Sequence, residues 1–136
     1  MELVKPPFTE ETVLRSVQIA ENLWNNKDIR SILSCFAIDG FYFRYRGKII
    51  TNRRELESNL EIKWQRELDY VIEKNVTLFS ENKIAVQFMY EWRTANFEYF
   101  RTYGNEFWEV NLKGQIIYHT ISSNDVPIDK ALLELV

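Results

Sequence analysis

The fold is decided by residues 84–110, which read IAVQFMYEWRTANFEYFRTYGNEFWEV. Aromatic and β-branched residues fill this stretch, and one short polar break divides it into two runs. Residues 68–78 and 116–124 have the same character, and polar segments at 80–83 and 111–114 separate them from their neighbours. Such spacing is typical of consecutive antiparallel strands. The C-terminal half is therefore predicted to form a meander.

The N-terminal half shows helical periodicity instead. Behind the N-cap candidate Thr9, apolar residues recur at helical spacings, at Val13, Val17, Ala20 and Trp24. Two further helical patterns follow, a short one behind Asp28 and a longer one behind Thr51 or Asn52. The apolar face of the longer one carries Leu56, Leu60 and Trp64. With short strands at 41–46 and 49–50, the sequence predicts three helices and about six strands, an α+β fold in one domain spanning residues 1–136.

Composition excludes several functional classes. The 136 residues are 46% hydrophobic and 15% aromatic, which is enough for a core, and the net charge of −3 argues against nucleic-acid binding. No stretch approaches a membrane span, and the N-terminus has no apolar run of signal-peptide length. The single cysteine, Cys35, fits a reducing cytoplasm. No metal-ligand spacing or phosphate loop is found, so we expect no metal and no cofactor.

Strand alternation assigns side chains to two sheet faces. We assign the rows that begin at Ile84, Phe100 and Ile116 to the face beneath the helices. The polar and aromatic members of these rows include Tyr90, Trp92, Glu106, Trp108, Ser122 and Asn124. His119 falls on the opposite face, so we predict a structural or interface role for it. A single bulge would exchange the faces beyond it and bring His119 toward Glu106.

The opposite face is too apolar for full exposure to solvent. It keeps five large apolar side chains, those of Met89, Tyr103, Phe107, Ile117 and Ile121. A sheet surface of this kind suits a partner sheet. The sequence therefore predicts a homodimer through the outer sheet face.

Glu106 is the catalytic candidate. It falls among Phe100, Gly104 and Trp108 on the predicted inner face. Burial there would raise the pKa of the carboxyl group, as suits a general acid or base near neutral pH. The alternative is a structural role, in an ion pair with an arginine or in a contact that caps a helix.

Eight residues are candidates for contacts with a ligand. They are Trp24, Tyr45, Trp64, Tyr90, Trp92, Trp108, Ser122 and Asn124. For the aromatic members, core packing is the competing interpretation, and Tyr90 is the best hydrogen-bond donor of the set. For Asn124, the alternative is that Asn124-Asp125 ends the last strand by bonding to its own turn.

The chain resembles the nuclear transport factor 2-like (SnoaL-like) superfamily, and more narrowly an uncharacterised bacterial family within it. The matching blocks include Pro6-Pro7-Phe8-Thr9, Trp24-Asn25, Lys63-Trp64, Arg66-Glu67-Leu68-Asp69-Tyr70, Tyr90-Glu91-Trp92, Tyr103-Gly104-Asn105-Glu106 and Asn124-Asp125-Val126-Pro127-Ile128. The resemblance implies a cone of helices over a strongly curved, mainly antiparallel sheet, an internal pocket and a dimer. It does not imply an activity, because the superfamily includes isomerases, dehydratases, cyclases and binding proteins.

Three functional hypotheses follow. The first is a protein that binds a small hydrophobic or aromatic molecule carrying a polar group, through Glu106, Tyr90 and Asn124. The second is an isomerase or dehydratase in which Glu106 transfers a proton and Tyr90 or Asn124 stabilises an oxyanion. The third is a structural dimer whose own aromatic residues fill the pocket. One carboxylate with few partners would favour the second, whereas a bonded arginine would favour the third.

Overall fold

The computed structural model describes residues 2–135, which form three α-helices and six β-strands. The helices are α1 (Glu10–Asn25), α2 (Ile29–Ser34) and α3 (Arg53–Arg66). The strands are β1 (Tyr42–Tyr45), β2 (Lys48–Ile50), β3 (Leu68–Ser80), β4 (Lys83–Arg93), β5 (Tyr99–Val110) and β6 (Ile116–Ile128), and a 3₁₀ turn at Lys130–Leu132 follows. The predicted α+β class, with helices on one mainly antiparallel sheet, is confirmed.

The six strands form one sheet in the order β2-β1-β6-β5-β4-β3. Only the pairing of β1 with β6 is parallel, and β3 to β6 form the predicted meander. α1 is fixed to β3 by Asn25, whose side chain bonds both the N–H and the C=O of Ile72, at 2.8 and 3.0 Å. Within residues 2–135, no helix is long and apolar enough to cross a membrane.

The helices begin where the sequence predicts. Thr9 and Thr12 form a capping box at the start of α1, and Asp28 accepts a hydrogen bond from the N–H of Ser31 at the start of α2. Of the two N-cap candidates for α3, Asn52 takes the role and bonds the N–H of Glu55 at 2.9 Å. These contacts satisfy backbone N–H groups that have no partner within the helix.

β6 carries a bulge near its start. Glu109 pairs with Tyr118, but Val110 pairs with Ile116, so one extra residue, Ile117, enters β6. Ile116 is held by the end of α2, because its N–H donates to Cys35 O at 2.7 Å and its C=O accepts from Ala37 N at 2.9 Å. One inserted residue reverses the alternation beyond it.

Beyond the bulge, the side chains of β6 lie on the faces opposite to those predicted. His119 lies opposite Trp108, on the inner face and 2% exposed, so its predicted outward placement is wrong. Ser122 pairs with Asn105 and Asn124 with Tyr103, and both lie on the outer face instead of the inner one. β6 also continues to Ile128, so Asn124-Asp125 does not end the strand.

Candidate functional site

The inner sheet face holds a buried carboxylate with three hydrogen-bond partners. Lys74 Nζ lies 2.6 Å from Glu106 Oε2, and His119 Nε2 lies 3.2 Å from Glu106 Oε1. Trp108 Nε1 donates to the same Oε1. The side chains of Lys74, Glu106 and His119 are each only 2% exposed. The predicted inward orientation of Glu106 is confirmed, while its role in catalysis stays a prediction.

β3 and α1 bring Lys74 to this carboxylate. Tyr70, Ile72 and Lys74 share the buried face of β3, as alternation requires. The N–H of Lys74 donates to Glu21 Oε2 of α1 at 2.8 Å, and Lys74 Nζ lies 5.2 Å from the centroid of the Trp24 ring. The ammonium group therefore sits between an aromatic face and Glu106, both of which favour its charge.

The pKa of Glu106 is lowered, not raised. Burial acts to raise the pKa of the carboxyl group, but the charge of Lys74 and the hydrogen bond from His119 outweigh burial and hold the pKa at about 2. The prediction of a raised pKa is therefore wrong, because it left out a buried lysine from another strand. An ionised carboxylate with so low a pKa is a weak proton acceptor.

His119 is neutral in this setting. Burial lowers the pKa of His119, and the hydrogen bond to Glu106 opposes that shift only in part. A neutral imidazole carries one N–H, and the ionised Glu106 can only accept, so Nε2 holds the proton. Nδ1 is then an unprotonated acceptor, and it has no hydrogen-bond partner among residues 2–135. The ring stacks on Phe36 at a centroid distance of 5.8 Å.

A second buried polar group adjoins the first. We call it the tyrosine–cation cluster, and its members are Tyr45, Arg46, Lys63, Glu67, Tyr90 and Asp125. The hydroxyls of Tyr45 and Tyr90 lie 3.0 Å apart, and both accept hydrogen bonds from Lys63 and Arg46. Lys63 pairs with Glu67 and Arg46 with Asp125, each at 2.8 Å, so the cations of the cluster are balanced by carboxylates.

Two cavities lie between the helices and the sheet. The apolar cavity, of about 40 Å³, is lined by residues that include Val4, Trp24, Ile32, Phe36, Trp108 and His119. The polar cavity, of about 10 Å³, is lined by residues that include Trp24, Lys63, Tyr70, Lys74, Tyr90 and Glu106. Trp24 belongs to both walls, and the bond between His119 and Glu106 joins them. A volume of roughly 10–15 Å³ suffices for one water molecule, so both cavities are small.

Five of the nine predicted site residues line the two cavities. Glu106, Trp24, Tyr45, Tyr90 and Trp108 line one or both of them. Trp64 lines neither and packs edge-on against Trp24 at 5.6 Å. Trp92 is buried elsewhere, where its Nε1 donates to Thr102 at 2.9 Å and its ring stacks on Phe100. Ser122 and Asn124 lie on the outer face, away from both cavities.

Sequence reasoning missed the cations of the site. Lys74 had a usable signal, since it falls in the buried row of Tyr70 and Ile72. Lys63 and Glu67 stand four residues apart, the spacing of an ion pair on a helix, although Glu67 itself caps α3. Arg46 gave no signal of this kind, because it leaves the strand at a positive φ of 49° and turns back toward Tyr45 and Tyr90. Strand alternation continued from β1 would place Arg46 on the outer face, where it does not lie.

Comparison with known proteins identifies a family over nearly the whole chain. The model of the family described as "Protein of unknown function (DUF1348)" matches residues 6–134. No curated protein matches this chain.

Several solved structures share the fold. A nuclear transport factor 2-like protein of unknown function from Burkholderia pseudomallei has a TM-score of 0.73 at 11% identity, covering 82% of this chain and 89% of that one. Rv0760c from Mycobacterium tuberculosis, solved with estradiol-17β-hemisuccinate, has a TM-score of 0.69 at 13% identity, covering 82% and 92%. A putative polyketide cyclase from Xanthomonas campestris has a TM-score of 0.66 at 20% identity, covering 79% and 87%. The fold is therefore the predicted nuclear transport factor 2-like one, and identities this low show the fold alone.

Proposed function

This chain belongs to the DUF1348 family, and we propose that it binds a small molecule between its helices and its sheet. The ligand has an apolar or aromatic body and one polar group. The apolar cavity receives the body, and the polar group meets the buried network around Glu106. Structural neighbours that support this proposal include Rv0760c in complex with estradiol-17β-hemisuccinate and a designed 17-OHP binder.

The buried ion pair of Lys74 and Glu106 in a cavity wall carries the proposal. Removing two charges from water costs several kcal/mol per ion, and apolar residues of similar volume would often be at least as stable. Stability alone therefore gives little reason for this pair. A pair that fixes the polar end of a ligand gives a reason, because convergent polar groups in an apolar cavity set orientation and specificity.

Binding requires a side chain to move. The two cavities have volumes of about 40 and 10 Å³, too little for an aromatic ring system. Trp24 separates them, and Leu3 and Val4 close the apolar cavity from the N-terminal side. A ligand that displaces one of these groups must offset the lost packing, so its apparent affinity is reduced by that cost.

A ligand screen tests the proposal. Melting temperature is measured with a panel of aromatic, steroid-like and polyketide-like compounds, and we expect a ligand-dependent rise with at least one of them. In Ala20→Leu a larger side chain fills the apolar cavity and should remove that rise, whereas the control Arg15→Leu, exposed on the same helix, should keep it. No rise with any compound would favour the structural alternative, in which the aromatic residues simply fill the interior.

Proton transfer is the second candidate function, and the bond between His119 and Glu106 favours it. Glu106 was the expected base, but its pKa of about 2 suits a group that orients its partner. Nδ1 of His119 is the free acceptor, and an imidazole oriented by a carboxylate is an effective general base. Reactions that begin by removing a proton beside a carbonyl group, as isomerases and dehydratases do, match this arrangement.

Deuterium exchange tests this second function without a known substrate. Ketones are incubated with the protein in D₂O, and exchange beside the carbonyl is followed by NMR. His119→Gln and Glu106→Gln should abolish the exchange, and Glu109→Gln, on the same strand outside the cavities, should retain it. Unchanged exchange in His119→Gln would exclude His119 as the base, and unchanged exchange in Glu106→Gln would exclude any role for that carboxylate.

We also propose a homodimer through the outer sheet face. Tyr103 and Tyr118 are 45% and 39% exposed there. Tyr118 stacks on Tyr42 at 5.1 Å and contacts Phe107 at 5.9 Å, which makes a continuous aromatic surface. Such a surface is larger than an isolated exposed side chain and suits association with a second copy of the same face.

A further inference from the structure

The tyrosine–cation cluster contains one hydroxyl proton for which residues 2–135 offer no acceptor within hydrogen-bond distance. A tyrosine hydroxyl carries one proton and two lone pairs, whereas lysine and arginine only donate. Tyr45 Oη accepts from Arg46 Nε and from Lys63 Nζ, both at 2.9 Å, which fills its two lone pairs. Tyr45 must therefore donate its own proton to Tyr90, 3.0 Å away.

The proton of Tyr90 is left without an acceptor. Tyr45 and Arg46 Nη2, each at 3.0 Å, fill the two lone pairs of the Tyr90 hydroxyl, and the third group that contacts it, Lys63 Nζ at the longer distance of 3.3 Å, is also a donor. No further hydrogen bond links this hydroxyl to residues 2–135. Burial raises the pKa of Tyr90 far above its ordinary value, so the hydroxyl keeps its proton. Tyr90 thus presents an unused donor while the surrounding cations polarise it.

The hydroxyl of Tyr70, in the wall of the same cavity, also lacks an acceptor among the described residues. Tyr70 is 3% exposed and lines the polar cavity with Tyr90. Its hydroxyl makes no hydrogen bond within the described part of the chain. A buried donor without an acceptor, as at Tyr90, costs roughly 1–3 kcal/mol, and a second free hydroxyl beside the same cavity favours an acceptor placed between the two.

We propose that the polar cavity binds an uncharged oxygen acceptor of the ligand, of the carbonyl class, through the hydroxyls of Tyr90 and Tyr70. The charges around the cavity explain why the oxygen is neutral. Three cations face three carboxylates in the pairs Lys63–Glu67, Lys74–Glu106 and Arg46–Asp125. The second cation on Glu67, Arg66 at 3.4 Å, has a side chain that is 55% exposed, so solvent screens its charge and the buried surroundings carry no net charge. A carboxylate would add an unpaired negative charge to a buried site, whereas a ketone, aldehyde or ester oxygen would not. This inference rests on the proposed function and adds the chemistry of the polar group.

A matched pair of probes tests the inference. Acetophenone and α-methylstyrene have nearly the same shape, but only the ketone has an oxygen acceptor. We expect the protein to bind acetophenone about five- to tenfold more tightly, as one extra hydrogen bond allows. Tyr90→Phe should abolish the preference, and Tyr70→Phe, which removes a hydroxyl without a partner, should reduce it with little effect on folding. The control Tyr103→Phe, on the outer face, should leave it unchanged.

The outcomes separate the two proposals. Equal binding of both probes would overturn the carbonyl site and leave the small-molecule function intact, while binding of neither probe would count against both.

A measurement without ligand tests the protonation state of Tyr90 independently. NMR of tyrosine labelled at Cζ should show Tyr90 protonated at pH 7, with the signal assigned by its loss in Tyr90→Phe. A tyrosinate at this position would overturn the inference, because it has no proton to donate.

Discussion

His119 Nε2 lies 3.2 Å from Glu106 Oε1, and the two residues meet because β6 contains one extra residue before His119. Without Ile117, His119 would face the outer surface of the sheet. The bulge thus places the chain's single histidine against the buried pair of Lys74 and Glu106. Bulges are common beside functional sites, where they re-aim a side chain.

Acid should destabilise the protein in two steps. The pKa of His119 is lowered by burial, so the unfolded state binds more protons below about pH 6.5, and the free energy of unfolding falls as pH drops through that value. Glu106 has a folded pKa of about 2 against an ordinary 4.5, so a further loss of about 3 kcal/mol develops between pH 4.5 and 2. Urea unfolding at a series of pH values measures both steps. His119→Gln should remove the upper step, and its persistence would contradict the assignment.

Removal of Lys74 should be costly. Lys74→Met leaves the Glu106 carboxylate buried without its cation, and we expect a loss of about 3–5 kcal/mol in the free energy of unfolding. The double variant Lys74→Met with Glu106→Gln should recover part of that loss, because no unpaired charge then remains. Lys83→Met, at an exposed position of β4, is the control and should cost less than about 0.5 kcal/mol. A cost below about 1 kcal/mol for Lys74→Met would contradict the prediction that Glu106 depends on Lys74 for its stability when buried.

The sequence predicts the fold well because the decisive signals are local. Each signal lies within the helix or strand that it predicts. Examples are the capping residues, the helical spacing of Val13 and Val17, and the aromatic alternation of β4 and β5. Glu106 could be placed inward for the same reason. The prediction failed at β6, because the bulge depends on bonds between Ile116 and the end of α2, which are distant in sequence. Arg46 was missed because its backbone turns where the strand pattern ends.

The pKa of Glu106 shows a second limit. Its neighbours on β5 predicted a desolvated carboxylate, which is correct, and hence a raised pKa, which is wrong. The opposing charge comes from Lys74 on β3, two strands away in the sheet. A pKa depends on the groups that meet in space, so a single strand cannot give its direction.

The segment over the apolar cavity should be sensitive to Gly114. This residue has a φ of 83°, and a Cβ there would lie 2.3 Å from Val4 O. Gly114→Ala should therefore cost about 1 kcal/mol for the backbone conformation and a further 1–3 kcal/mol for the clash with Val4. Gly47→Ala is a matched control, because Gly47 has a φ of 78° and no atom within 4 Å of the added Cβ. Equal losses in urea unfolding would show that the Val4 segment yields freely.

The outer sheet face should hold two copies together. Tyr103→Lys places a charge on the outer sheet face, where a partner would have to bury it, so dimers should dissociate. Ser58→Lys adds the same charge at an exposed position of α3 and should leave the assembly unchanged. Sedimentation velocity over a range of concentrations gives the mass of each variant. We expect twice the chain mass for the parent protein and for Ser58→Lys, and one chain mass for Tyr103→Lys. A monomeric parent protein at every concentration would contradict the dimer, and a dimeric Tyr103→Lys would place its interface elsewhere.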